Sequence, residues 1–153
     1  MKRVLVLGLA TALLAGSAAG IQAKGKAMKW MDGTAVGLPA GAKLAVVKGD
    51  PSKAGDFTVL IKMPANYAVP PHHHPGDETV RVMGDGTLSY GMGDKLDKKK
   101  GTLLTAGGFG IAPAHMNHYA WTTKGAVLQL NLMGPVALTY VNAADDPRNA
   151  PKK

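Results

Sequence analysis

The chain contains no cysteine. Disulfides, thiolate metal sites and cysteine nucleophiles are thereby excluded. Aromatic residues are scarce, 5% of 153, with two Trp and two Phe. Charged residues are few as well, at 18%, against 46% hydrophobic, which excludes a disordered chain. No acidic residue occurs before Asp32. Long apolar runs are missing beyond residues 4–15, and that run is too short to span a bilayer as a stable helix. No repeat of fixed period and no convincing amphipathic helix follow. What remains is enough for one domain with a real core, and 20 Gly with 10 Pro suit short strands joined by turns.

Lys2 and Arg3 precede the apolar run, and Gly16, Ser17, Ala18 and Ala19 follow it. This order reads as a secretory signal peptide, cleaved after Ala19 or, preferably, Ala23. The expected organisation is a leader over 1–23, an N-terminal arm over 24–42, one domain over 43–142 and a loose polar tail over 143–153. The expected location is outside the cytoplasm, in a bacterial periplasm, with no stable membrane insertion once the leader is removed. The leader holds two of the net +8 charges, leaving +6 beyond it. The lysines are scattered except for Lys98, Lys99 and Lys100, which read as a solvated loop. Basic residues interleaved with aromatics are lacking, so nucleic acid is excluded as a partner.

Beyond Gly41 the pattern becomes short apolar runs bounded by turn residues. Phe57, Val59, Ile61 and Met63 alternate with polar positions, as do Val80 and Val82 behind Glu78, and Leu88, Tyr90 and Met92. Strands are expected at 43–48, 57–63, 78–83, 87–92, 102–105, 109–113, 118–122, 126–133 and 136–141. About nine strands with period-two alternation predict an all-β antiparallel fold of the jelly-roll type. Val80, Val82, Leu88, Met92, Leu128 and Leu130 are expected to face inward.

All five histidines fall in two clusters, His72, His73, His74 and then His115, His118. Residues two apart in a strand share a side, so His72 and His74 can converge on one ion. Glu78 has the same parity and heads an apolar face, where a carboxylate needs a partner. His118 opens a later strand that can fold back to the same centre. Three imidazoles and one carboxylate suit Mn, Fe, Ni, Cu or Zn. His73 points the other way and is read as a surface or turn residue. His115 is read as exposed or at a mouth, with a supporting role beside the ligands as the alternative. Tyr90 is read first as a core residue and second as a hydroxyl offered to the ion. Tyr119 and Trp121 have parity opposite to His118 and are assigned to packing or an interface.

The segments NYAVPPHHHPGDE (66–78) and GGFGIAPAHMNH (107–118) resemble the two sequence motifs of the cupin superfamily. The resemblance runs from about Lys43 to Asn142 and is nearest to small single-domain bacterial cupins of unassigned function. It implies a β-barrel, or double-stranded β-helix, with a metal inside, held by His72, His74, Glu78 and His118. The motifs depart from the family at four points. Asn66 replaces a glycine, with the left-handed backbone still accessible to it. One residue is inserted in the turn around Gly84, Asp85 and Gly86. His115 replaces another glycine, and Thr122 replaces an asparagine.

The resemblance implies a metal-dependent enzyme on a small molecule, of oxygenase, decarboxylase, isomerase or lyase type. The alternatives are a non-catalytic module that binds or senses a small ligand or metal, and a cupin whose metal is purely structural. A homodimer is also expected from the resemblance.

Overall fold

The computed structural model describes residues 27–150. The expected leader with its two expected cleavage positions, the first residues of the arm and the last three of the tail lie outside the described residues. Two antiparallel sheets face each other. The larger consists of β1 (Met31–Asp32), β2 (Lys43–Lys48), β3 (Gly55–Met63), β5 (Glu78–Met83), β8 (Phe109–Ala112) and β10 (Ala126–Gly134). Its order is β1-β2-β3-β10-β5-β8. The smaller consists of β4 (Tyr67–His73), β6 (Leu88–Met92), β7 (Thr102–Leu104), β9 (His118–Thr122) and β11 (Thr139–Tyr140), in the order β11-β4-β9-β6-β7. This is a jelly roll.

The alternation seen in the sequence is what closes the core. Leu128 stands between Ile61 and Val82, and Leu130 between Val59 and Val80, in register across β3, β10 and β5. All six are buried. Cross-strand rows of this kind are the unit of sheet stabilisation. Burying each such side chain contributes roughly 1.5–3 kcal/mol. Among the described residues no helix is long and apolar enough to cross a membrane.

Four sequence expectations change. A seven-residue strand that the alternation did not announce, β4, contains Pro70 and Pro71. Proline cannot donate to a ladder, and the register against β9 shifts between Val69 and His72. The strand expected over 136–141 shrinks to Thr139–Tyr140, because the Val136 N–H is spent on Pro51 O at 2.8 Å. The arm does not stand apart from the domain: Leu38 and Ala42 are buried in the core, with a short 3-10 turn at Gly33–Val36. The tail is not loose over its described part. Asn142 and Asp146 cap two further 3-10 turns, Ala143–Asp145 and Pro147–Asn149, and Arg148 donates to Leu138 O at 2.7 Å.

Met92 is a fifth difference. It is 41% exposed rather than inward, because β6 ends there and Gly93 turns the chain at φ 117°. The turn residues behave as their chemistry dictates. Asn66 adopts φ 57°, and Thr122 Oγ1 accepts the Gly125 N–H at 3.0 Å, holding the β9–β10 turn.

Candidate metal centre

The Pro70-Pro71 bulge decides which histidines point inward. Tyr67 and Val69 face the core. An unbroken strand would carry Pro71 and His73 to that side, and the bulge hands it to His72 and His74 instead. Both are buried, at 5% and 6% exposure. Residues 75–77 then turn the chain into the opposite sheet, where Glu78 opens β5. His118 opens β9 directly across from His72. Two contacts clamp the turns that carry these residues. Asp77 Oδ1 accepts the Ala114 N–H, and His74 O accepts the His115 N–H, each at 2.8 Å.

One donor atom from each of His72, His74, Glu78 and His118 lies within 4.8 Å of the others. The three rings share one orientation rule. Each Nδ1 donates to a backbone carbonyl: His72 to Pro70 at 2.8 Å, His74 to Ala137 at 2.8 Å, His118 to Met116 at 2.9 Å. That bond fixes the tautomer and leaves Nε2 with its lone pair. Among the described residues, Nε2 of His74 and of His118 is buried without a hydrogen-bond partner. His74 Nε2 is 2.9 Å from Glu78 Oε2; with the proton on Nδ1, the neutral ring has none at Nε2 to give the carboxylate.

These orphaned atoms are the test of fit. Metal–nitrogen bonds of about 2.0–2.1 Å put neighbouring imidazole centroids roughly 4.5–5.2 Å apart on one ion. The centroids here are separated by 4.3, 5.1 and 5.4 Å. The donor set fits a divalent transition ion. Electrostatics agree. Burial, with the neighbouring imidazoles, pushes His72 down to about 3. Burial also lowers His118. Burial opposes charge on His74 too, but the Glu78 carboxylate outweighs it and raises this one. Burial would raise Glu78, and the His74 contact with the other two imidazoles prevails and lowers it. At neutral pH His72 and His118 are therefore neutral donors beside an anionic oxygen.

Below the four donors is a cavity of about 90 Å³. All its other lining is apolar, with Phe57, Val59, Val80 and Leu130 among the walls and Val36, Leu38, Val136 and Leu138 from the arm and the β10–β11 loop. The remaining residues singled out from the sequence lie elsewhere. His73 faces outward, with Nδ1 against Asn117 Oδ1 at 3.1 Å. His115 is exposed at φ 60°, its ring 6.3 Å from that of His73. Tyr90 is half-buried against the core beside Gly110 and does not line the cavity. Tyr119 and Trp121 stack on each other at 5.9 Å and pack under the loop at Gly101. The Nδ1 acceptors and the cavity cover had no signal in the sequence. One signal went unused: Glu78 is the single glutamate of the chain.

A profile of the ChrR cupin-like domain family matches residues 19–137. Among functionally curated sequences nothing matches. Solved structures share the fold. A Methylibium petroleiphilum PM1 protein, provisionally assigned as an acetylacetone dioxygenase, superposes with TM-score 0.60 at 17% identity, covering 96% of this chain and 90% of its own. The DMSP lyase DddQ of Ruegeria pomeroyi DSS-3 gives 0.58 at 17%, covering 74% and 60%. An RmlC-like cupin of Ralstonia eutropha JMP134 gives 0.55 at 20%, covering 72% and 66%.

Proposed function

The chain belongs to the ChrR cupin-like domain family, and on that premise we propose that it is a secreted metalloprotein acting on a small molecule. One divalent transition ion, Mn, Fe, Ni, Cu or Zn, is held by His72, His74, Glu78 and His118. The observation that carries this reading is the pair of buried, partnerless Nε2 atoms of His74 and His118 beside the Glu78 carboxylate. Unpaired polar atoms at such depth are costly, and an ion is the group that satisfies all four donors at once. When bound, the ion supplies Lewis acidity or a site for dioxygen at its open positions.

The chain's own residues supply orientation and dryness. Three backbone carbonyls hold the imidazoles, and the apolar walls exclude water. Among the described residues, no acid–base side chain other than the ligands lines the cavity. That favours oxygenase-, decarboxylase-, isomerase- or lyase-type chemistry centred on the ion over multi-step proton transfer. The same observation supports a second reading, a module that binds a small ligand without transforming it. Exposed Leu103, Phe109 and Ile111 on edge strands β7 and β8 support a homodimer, to be checked by light scattering.

Elemental analysis of the purified protein tests the metal. About one equivalent is expected, lost in His74→Ala and Glu78→Ala and kept in His73→Ala. A folded wild-type protein that takes up no transition metal overturns the reading. A metal spectrum unmoved by azide or small carboxylates points to a closed, structural ion.

A further inference from the structure

The charge of the cavity says which ligands it accepts. This step rests on the metal reading above. A divalent ion with three neutral imidazoles and one carboxylate has a net single positive charge. Among the described residues, no other cationic or anionic side chain lines the cavity. Neutral polar side chains of the described residues are absent from the lining as well, and those nearby are committed. Tyr67 Oη donates to Pro39 O at 2.6 Å and Tyr140 Oη to Gly37 O at 2.8 Å. The Nδ1 atoms of the three histidines are spent on carbonyls.

We infer that the cavity takes a small monoanion with one oxygen-bearing end and an apolar remainder. The anionic end neutralises the centre and fills its open positions. The remainder rests on Val59, Val80, Leu88, Leu128 and Leu130. Its size follows from the volume. At about 30 Å³ for each packed water-sized group, 90 Å³ holds roughly three such groups, the length of a short alkyl chain. A second charge, of either sign, would be buried against aliphatic carbon with nothing to pair it. Dicarboxylates, zwitterions and phosphate esters are therefore rejected by the walls rather than by the ion.

The test uses the purified protein loaded with Co²⁺, whose visible absorption reports on the coordination sphere. Four ligands on one four-carbon frame are titrated at pH 7.5: butyrate, succinate, butanol and butylammonium. Butyrate is expected to give a saturable spectral change. Succinate and butylammonium are expected to bind at least 100-fold more weakly, and butanol at least tenfold. Acetate, lacking two methylenes, is expected to be roughly tenfold weaker than butyrate. Succinate within tenfold of butyrate overturns the inference, because the second carboxylate would have found a partner. Acetate equal to butyrate overturns it too, because the walls would not be read. Failure to take up cobalt sinks the metal centre itself, which separates the two claims.

Discussion

Replacing Glu78 with Gln isolates the charge of the carboxylate, because the side chain keeps its shape. Glu78 is 9% exposed and its Oε2 lies 2.9 Å from His74 Nε2. Four-ligand zinc sites in small domains supply about 10–16 kcal/mol in total, hence about 2.5–4 kcal/mol per ligand. As the sole anion among the four, Glu78 belongs toward the upper end. Zinc binding measured by chelator competition at pH 7.5 should weaken on the order of 100- to 1000-fold in Glu78→Gln. The metal-free protein gives an independent readout. Burial opposes charge on His74, and Glu78 overrides it. Without the carboxylate the His74 pKa should fall below its ordinary 6.5, visible by NMR titration. The sign on stability follows. His74, raised in the fold, stabilises below 6.5 and loses that contribution as pH rises through its folded value. Glu78, lowered in the fold, stabilises above 4.5 and loses that contribution as pH falls through its folded value. The wild type should exceed Glu78→Gln most between about pH 4.5 and 6.5. A variant that binds zinc within tenfold of wild type, with His74 still raised, would falsify the assignment of Glu78.

Three further outcomes can be checked. Leu128→Ala removes three carbons from a side chain 1% exposed in the central core row, about 2.4 kcal/mol of transfer plus a cavity term. A loss of about 3 kcal/mol, or roughly 10 °C in Tm, is expected; less than 1 kcal/mol would mean the cavity walls collapse freely. Gly101→Ala drives a Cβ into Trp121 Cη2, and Trp121 cannot yield while stacked on Tyr119. Chemical denaturation should show about 2 kcal/mol lost, and an unchanged midpoint would refute that packing. His115→Gly relieves the left-handed backbone at φ 60°. It should raise stability by about 1 kcal/mol without altering metal content; loss of metal would show that His115 contributes to the centre after all.

Period-two alternation made most of the sheets legible, since an apolar face must be buried wherever strands pair. The expected spans at 43–48, 78–83 and 118–122 coincide with β2, β5 and β9. β4 escaped that reading because Pro70 and Pro71 break both its alternation and its ladder. The tail and arm escaped it because their order comes from capping side chains and from Arg148 reaching Leu138 O, contacts without periodicity.

The donor types and their grouping are legible in the residues alone. His72 and His74 are two residues apart, His74 is four from the only glutamate, and the second cluster supplies His118, which leaves few other arrangements. Tertiary structure alone decided how those donors meet. A bulge at two prolines turned His72 and His74 inward. A sheet-to-sheet crossing put Glu78 opposite them, and strand pairing set His118 across from His72. Carbonyls as distant in sequence as Ala137 then chose the tautomer. Parity is local and can be counted along one strand. Convergence across two sheets depends on register and on backbone acceptors, and neither is encoded in the identity of the residues that use them.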